Sequence, residues 1–574
     1  MCIINHHPSP CALFSELPPP FSLARALSDL VSRTFLHPLH PLPPLIYPPN
    51  RKSRLISEAM TTLEPRQPYT DEELRQLYPP QLKLQLVQIL LRHGERTPVT
   101  PRFQNTGLPP YWPYCRAVRH LRSAVLDPDT GEYSYLDWKR RLETFASNDD
   151  SPVIAAGPNA ELDDICDMGM LTDRGRETTR NLGRRFRDLY VQRLGFLPAD
   201  LTDAESLYLR STPVPRALES LQQALSGLYP TKHRAPDLPA FTLLTRAPQD
   251  ETLFPNDGNC RRFAALSRAF AQRTAERWNN TPEMDYLNKK LGKWMPNDAR
   301  IAVDSKPRLS GIMDTINATR AHGPQTKLPS EFYDPKAIAI IEKIGVEEWY
   351  SGYAESQEYR TLGIGGLMGD VVARMVGSVE HSPADGDYEI KQPDAAPKPI
   401  RFGMSGCHDT TLAGVLASLG AFGPDKWPPF TSHIAIEMFH DARISAVDTA
   451  TKSPVASVPK DGSWFSSWFS FGPASAPSPG TAPPGIGRKT TPDLTDAEKN
   501  KLDGYYVRLR YNDEPVTIPG CKAPGNHLEG DESFCTLTAF KSIVDKYTPV
   551  SWRDQCRMNA NAPTFPAKPE PAGY

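Results

Sequence analysis

A run of seven residues, Arg92–Pro98, carries the side chains of this 574-residue chain that are best suited to catalysis. Two guanidinium groups, those of Arg92 and Arg96, bracket the imidazole of His93. Arginine forks match the oxygens of a phosphate group and neutralise the charge that would repel a nucleophile. A neutral imidazole held between them can attack phosphorus and become phosphohistidine. Gly94 has no Cβ and lets the backbone approach a ligand closely. The pattern therefore indicates phosphoryl transfer to a histidine.

Two later stretches place further polar side chains after short apolar segments. Arg210 ends one segment, and His408 and Asp409 follow another. The apolar run 82–91, which precedes the first motif, alternates in the manner of a buried strand. Ligand sites in open α/β sheets form at the carboxyl ends of strands. We therefore expect the three stretches to meet at one edge of a sheet, where the helix that begins after His408 directs its free N–H groups at an anion.

The three stretches, in this order, resemble the histidine acid phosphatases: R-H-G-x-R-x-P from Arg92, R-S-T from Arg210, and H-D at residues 408–409. The resemblance implies a phosphate monoester hydrolase of the acid phosphatase type that acts through a phosphohistidine intermediate. It implies that His93 is the nucleophile and Asp409 the general acid. It also implies phosphate binding by four further residues, namely Arg92, Arg96, Arg210 and His408. A protonated Asp409 would give an acidic pH optimum.

The resemblance also implies the fold class and the order of the domains. We expect an α/β core with a mixed sheet flanked by helices, like that of the phosphoglycerate mutases, and an inserted, mostly helical second domain. Together with the composition, it gives these boundaries: a leader at 1–59, a core at 60–230 and 396–560, the inserted domain at 231–395, and a tail at 561–574. Residues 116–165 are irregular and polar, and are expected to form an excursion over the sheet.

Two segments have the composition of disordered chain. The leader is rich in proline, and residues 445–500 are rich in proline, serine, alanine and glycine. Four bulky aromatic side chains inside the second segment are unusual for disordered chain: Trp464, Phe465, Trp468 and Phe469. They form a candidate weak contact with a membrane interface or a partner protein. Docking on the protein's own surface is the alternative.

The composition limits the kinds of partner and cofactor that we expect this protein to bind. A net charge of -2 gives no general attraction to nucleic acid or to anionic membranes, so we expect no nucleic-acid partner. The nine cysteines form no C-x-x-C pair and no zinc-spaced cluster with histidine, so we expect no metal and no cofactor. The expected partner is a small phosphorylated substrate. Residues 426–430 resemble the lysophosphatidic acid phosphatase branch, which makes a lysophospholipid one candidate.

Other functions and several locations stay open. A phosphotransferase like the phosphoglycerate mutases would return the phosphate to an acceptor, although the Asp409 that follows His408 favours a phosphatase. A non-catalytic module that binds a phosphorylated ligand would keep the arginines but lose a catalytic group. A scaffold would instead bind its partner through the aromatic residues of the insert, independently of phosphate. No apolar segment of signal-peptide length occurs in the leader, so we expect an intracellular protein. A mitochondrial transit peptide is an alternative for the arginine-containing, acid-poor leader.

Overall fold

The architecture is that of a computed structural model, which describes residues 67–380, 400–423, 426–443 and 485–574. The leader and the four aromatic residues of the predicted contact, Trp464, Phe465, Trp468 and Phe469, lie outside these ranges. The expectations for them stay predictions.

A mixed sheet forms the centre of the fold and confirms the predicted class. Its strands are β1 Leu82–Arg92, β6 Leu207–Ser211, β7 Phe402–Cys407, β8 His433–Asp441, β9 Tyr505–Tyr511, β10 Glu514–Val516, β11 His527–Leu528 and β12 Asp531–Thr536. They lie in the order β11-β12-β9-β8-β1-β7-β6, with β10 paired to β9. Strands β1, β7 and β6 run parallel, and β8 is antiparallel to β1.

Helices cover both faces of the sheet. Their bounds are α1 Asp71–Leu77, α2 Asp173–Phe186, α3 Pro215–Leu228, α4 Arg261–Trp278, α5 Pro282–Leu291, α6 Leu309–Arg320, α7 Pro335–Glu355, α8 Gln357–Arg360, α9 Gly366–Glu380, α10 Asp409–Ser418, α11 Asp496–Asn500, α12 Leu537–Asp545 and α13 Trp552–Gln555. Short 3₁₀ and π turns join or extend several of them.

Successive side chains of β1 point to opposite faces of the sheet, and each face packs against its own layer of helices. Val87, Ile89 and Leu91 pack on the face covered by α2 and α3. Leu86 and Leu90 pack on the opposite face, in a larger core that includes residues of α4, α7 and α9. Residues 231–380 are described throughout and contain helices and short helical turns but no strand. This helical region therefore shares its core with one face of the sheet.

One helical run, residues 357–380, is long and apolar enough to span a membrane by length and composition alone. Most of it is buried inside the fold. Its apolar character is accounted for by packing in the core beneath the sheet, against β1 and α12.

Two β-hairpins occupy the segment that was expected to be irregular. Their strands are β2 Leu121–Leu126, β3 Tyr133–Trp138, β4 Glu143–Phe145 and β5 Pro152–Ile154. A disulfide between Cys115 and Cys166 closes the base of this lobe. The expectation of irregular structure at 116–165 is wrong, because cross-strand pairing here does not depend on a buried apolar face.

Part of the segment that was predicted to be disordered is structured. Residues 485–500 contain α11 and two helical turns, and Ile486 is buried. Arg488 pairs with Asp370 of α9 at 2.6 Å. The prediction of disorder is therefore wrong for residues 485–500, since the segment gains an ion pair and a buried side chain that its composition does not reveal.

Candidate active site

The carboxyl ends of β1 and β7 bring the first and third motifs together. The last residues of these parallel neighbours, Arg92 and Cys407, pair in register. The backbone N–H of His93 then donates to the carbonyl oxygen of Cys407 at 3.1 Å. As a result, the ring centroids of His93 and His408 are 5.6 Å apart. The structure places the predicted nucleophile beside the predicted phosphate-binding histidine.

The His93 ring is buried, and one of its nitrogens is fixed by a hydrogen bond. Nδ1 lies 2.9 Å from the carbonyl oxygen of Gly94, which can only accept, so Nδ1 carries the proton. Nε2 keeps its lone pair. Burial, followed by the positive charges of Arg216 and Arg92, holds the pKa of His93 well below its ordinary value. The imidazole is therefore neutral even in acid, which is the form that can attack phosphorus.

Asp409 lies against Arg92 and a tryptophan. Its Oδ2 is 2.7 Å from Nη2 of Arg92, and the indole N–H of Trp427 donates to the same oxygen at 3.0 Å. Burial alone would raise the pKa of Asp409, but the charge of Arg92 and the indole hydrogen bond lower it to about 2. Asp409 is therefore a carboxylate while Arg92 is paired with it.

Arg96 lies at the same edge of the sheet. Its Nη1 is 2.7 Å from Oδ1 of Asp314 on α6, and the other oxygen of that carboxylate is 3.2 Å from Nη1 of Arg102. The ring of Phe430 lies under both motif arginines, with its centroid 4.3 Å from Cζ of Arg92 and 5.6 Å from Cζ of Arg96. One aromatic ring thus supports the two guanidinium groups predicted to bind phosphate.

Arg210 does not join them, and its predicted role in phosphate binding is wrong. Its Nη2 lies 2.6 Å from Oε1 of Glu251 and 3.1 Å from Oγ1 of Thr252, while its Nη1 is 3.8 Å from Asp370. The side chain lies within β6 on the face that α9 covers. Burial there requires a carboxylate partner, and Glu251 supplies it.

Arg216, in the first turn of α3, lies in the site instead. On the same helix face, the hydroxyl of Ser220 accepts the backbone N–H of Gly94 at 3.1 Å, which fixes α3 against the first motif. After burial, Arg216 has the largest influence on the pKa values of His93 and His408 and lowers both. Burial and the charge of Arg96 in turn lower the pKa of Arg216 itself to about 10. We infer that Arg216 is the third arginine of the site.

The sequence does contain a signal for Arg216. Pro215 is typical of the first turn of a helix, so Arg216 falls at a helix N-terminus, where anions bind. Arg210, by contrast, lies within its strand. Its side chain therefore points to one face of the sheet or the other, depending on how the strand is oriented. The resemblance to R-S-T drew attention to the wrong arginine of this segment.

His408 takes the predicted position at the start of α10. Its backbone N–H donates to Oγ1 of Thr411 at 3.2 Å, and its Nε2 lies 3.1 Å from Oγ1 of Thr212. Burial, followed by the charge of Arg216, lowers the pKa of His408 to about 3. A neutral His408 can donate one ring N–H to a phosphate oxygen.

Gly94 has a packing role in the fold. A Cβ at Gly94 would lie 2.4 Å from the carbonyl oxygen of Gly175, and a Cβ at Gly175 would lie 2.2 Å from that of Glu95. The two glycines allow the end of β1 to touch the first turns of α2 backbone to backbone. Gly94 therefore permits helix packing, and the expected approach of its backbone to a ligand stays a prediction.

Glu95 is buried behind the first motif. Its Oε2 accepts the hydroxyl hydrogen of Thr178, whose oxygen is 2.9 Å from Oγ1 of Thr431. The N–H of Thr431 donates to the carbonyl oxygen of His93 at 3.2 Å. Burial raises the pKa of the Glu95 carboxyl to about 7. This network links a titratable group to the backbone of the nucleophile.

The positive charge of the site comes from arginine side chains. Within the ranges that the structure describes, no group of three or more His, Cys, Asp or Glu residues could hold a metal ion. The charges of Arg216, Arg92 and Arg96 all act on the neutral ring of His93, and Asp409 lies next to Arg92. This arrangement can accept a phosphoryl group on nitrogen and move one proton.

Comparisons with known proteins agree with this chemistry. Residues 83–455 match the histidine phosphatase superfamily (branch 2). A probable acid phosphatase of Schizosaccharomyces pombe is 34% identical over 480 residues, which cover 84% of this chain and 95% of that protein. The lysophosphatidic acid phosphatase type 6 of Homo sapiens is 24% identical over 370 residues, which cover 62% and 74%. A Hafnia alvei phytase in complex with tartrate superposes with a TM-score of 0.47 at 14% identity, over 83% of this chain and 99% of that one. The chain therefore belongs to branch 2 of the histidine phosphatase superfamily.

Proposed function

We propose that the protein hydrolyses phosphate monoesters through a phosphohistidine at His93. One observation carries the proposal: a neutral imidazole, with its proton fixed on Nδ1, keeps a free lone pair on Nε2 while the charges of three arginines act on the ring. Electrostatic stabilisation by preorganised groups is the largest part of phosphoryl-transfer catalysis. Arg92, Arg96 and Arg216 would hold the three non-bridging oxygens together with His408.

In the first half-reaction, Nε2 of His93 forms a bond to phosphorus while the bond from phosphorus to the ester oxygen breaks. Asp409 gives its proton to the departing oxygen, which leaves as the alcohol. Asp409 is ionised while paired with Arg92, so it must first gain a proton. A phosphate dianion that takes over Arg92 and adds negative charge beside Asp409 raises the pKa of this carboxyl. Substrate binding thereby favours the protonated form of Asp409, which is the form that acts as the general acid.

In the second half-reaction, water attacks phosphorus and the bond to Nε2 breaks. Asp409, now a carboxylate, takes a proton from the water as phosphate forms. His93 returns to its neutral form. Both half-reactions use the same carboxyl group in opposite protonation states, which limits the rate at low and at high pH.

The surroundings of Asp409 support a substrate whose alcohol part is apolar. The leaving oxygen must lie next to this residue, and the side chains beyond it are aromatic. Tyr350 and Trp349 of α7 contact Trp427 at centroid distances of 5.0 Å and 6.2 Å. Trp349 is 43% exposed and offers its ring to a bound ligand. Together with the relative named lysophosphatidic acid phosphatase, this favours an ester with an acyl or alkyl chain.

A substrate panel tests the proposal. We expect the full-length protein to hydrolyse lysophosphatidate with a higher kcat/KM than glycerol phosphate, and both better than phytate, with equal rates in EDTA. Trp349→Ala should reduce the preference for lysophosphatidate over glycerol phosphate. Absence of phosphate release from every ester, including p-nitrophenyl phosphate, would disprove the function. A preference for phytate would disprove the substrate class alone.

A further inference from the structure

The segment from Trp427 to Phe430 forms one wall of the site. The indole N–H of Trp427 reaches Oδ2 of Asp409 at 3.0 Å, and the carbonyl oxygen of Pro428 accepts from Nη1 of Arg92. Phe430 lies beneath the Arg92 guanidinium. Three of the four residues in this segment thus contact the general acid or its arginine partner.

The indole ring is held in place from behind. Trp427 is 8% exposed and packs on Tyr350 of α7, with 39° between the two ring planes. Trp349 meets the indole edge-on at 88°, and Phe422 meets Tyr350 edge-on at a centroid distance of 5.6 Å. Aromatic contacts of this kind fix a ring in one orientation. The direction of the indole N–H is therefore imposed by α7.

From these contacts we propose that Trp427 is a positioning residue, which holds the Asp409 carboxyl at the leaving oxygen and tunes how readily it gives up and takes back its proton. This inference rests on the proposed function, because it assigns Asp409 the role of acid and base. It adds a residue for which the first motif, the R-S-T stretch and the H-D pair give no indication.

Several charged or titratable groups face Asp409 besides the indole. Arg92 and Arg96 approach from the end of β1, Arg216 from α3, His408 and Cys407 from the chain before it, and Tyr350 from α7. The arginines and His408 would turn to a bound phosphate. The indole is uncharged, so the phosphate would not compete with Asp409 for it as strongly. Trp427 is then the donor that stays with Asp409 while the charges around it change.

The hydrogen bond from the indole determines the direction in which the pKa of Asp409 changes when Trp427 is replaced. A donor stabilises the carboxylate form and lowers the pKa of Asp409. Loss of the donor should raise that pKa and move both limbs of the pH profile upward by about one unit. Loss of orientation should slow proton transfer to a poor leaving group by about 10- to 100-fold.

Trp427→Phe tests the proposal, because it keeps a stacked ring and removes the N–H. With glycerol phosphate we expect kcat to fall about 10- to 100-fold, with KM changed less than about twofold, and the pH profile to shift upward. With p-nitrophenyl phosphate the leaving group needs little acid help, so the nitrophenol burst should keep its rate within about threefold. The burst amplitude counts folded active sites, which separates a chemical defect from misfolding.

Two controls make the outcome decisive. Trp278→Phe removes another buried indole that donates to a carboxylate, that of Glu347 at 2.9 Å, and should leave activity and the pH profile unchanged. Adding Trp427→Phe to Asp409→Asn should cause no further loss, because the indole acts through Asp409. Equal loss with both substrates at an unshifted pH profile, or additive losses in the double variant, would overturn the proposal. Absence of phosphate release from p-nitrophenyl phosphate by the wild-type protein would overturn the proposed function instead.

Discussion

Arg210 and Arg216 belong to the same short segment, yet their surroundings give opposite expectations. Arg216→Ala should lower kcat/KM by about 10²- to 10³-fold with a small change in Tm, because it removes charge from the transition state. Arg210→Ala should instead leave Glu251 buried without its arginine and destabilise the fold by roughly 3 to 5 kcal/mol.

Steady-state kinetics and thermal unfolding of the two variants decide between these roles. The reverse pattern, with normal kinetics for Arg216→Ala and a purely kinetic defect for Arg210→Ala, would restore Arg210 to the phosphate site.

Glu95 should make stability depend on pH. Its carboxyl keeps a proton in the fold up to about pH 7, whereas the unfolded chain releases it near pH 4.5. Between these values the folded state binds one more proton, so the free energy of unfolding falls as the pH rises, by up to roughly 3 kcal/mol. Glu95→Gln should remove this slope. Urea unfolding of both proteins across this range measures it, and parallel curves would contradict the assignment.

At the residue scale, the sequence predicts most of the site. His93, His408, Asp409, Arg92 and Arg96 follow from residue type and order, and the structure brings them together. The third arginine does not follow, because the side chain of a strand residue points to one face or the other according to pleating. The role of Trp427 depends on a contact between distant segments, which no local pattern contains.

At the scale of elements, the contact between β1 and α2 positions the motif. Gly175→Ala would put a Cβ 2.2 Å from the carbonyl oxygen of Glu95, where backbone must move. We expect a loss of about 1 to 3 kcal/mol in stability and a lower kcat, because the end of β1 carries His93. Gly258→Ala is the matched control, since no atom lies within 4 Å of its added Cβ. Unfolding and kinetics that are alike for the two variants would rule out this positioning role.

The elements themselves differ in how far sequence predicts them. Alternation along residues 82–91 predicts β1 closely, because both faces of that strand are buried. The hairpins β2–β3 and β4–β5 were missed, since their large apolar side chains are exposed and mixed with charges. The structured residues 485–500 were missed because an ion pair and one buried isoleucine stabilise them, not a periodic apolar face.

At the scale of the whole molecule, three disulfides link cysteines of the described residues: Cys115 to Cys166, Cys260 to Cys556 and Cys521 to Cys535. Disulfides persist in oxidising compartments. We therefore propose that the protein folds in an oxidising compartment. The cytosol, which is one of the locations covered by the expected intracellular placement, is not such a compartment. Among the described cysteines, Cys407 is a buried free thiol, and burial raises its pKa to about 12.

Peptide mapping of the native protein without reduction tests this proposal. We expect the three cross-linked peptide pairs and an unmodified Cys407 peptide, and a lower Tm after reduction. Six reduced thiols in protein isolated from its natural source would contradict the proposed compartment.

The central claim is that the phosphoryl group passes through His93, and Asp409→Asn with p-nitrophenyl phosphate tests it most directly. This variant keeps the shape of the site but lacks a base for the attacking water, so the intermediate should accumulate. After an alkaline quench, we expect a burst of nitrophenol and a base-stable, acid-labile phosphate on His93, in nearly one copy per active site. Both should disappear in the double variant with His93→Ala. A burst without phosphate on His93, or phosphate that persists in the double variant, would contradict the account.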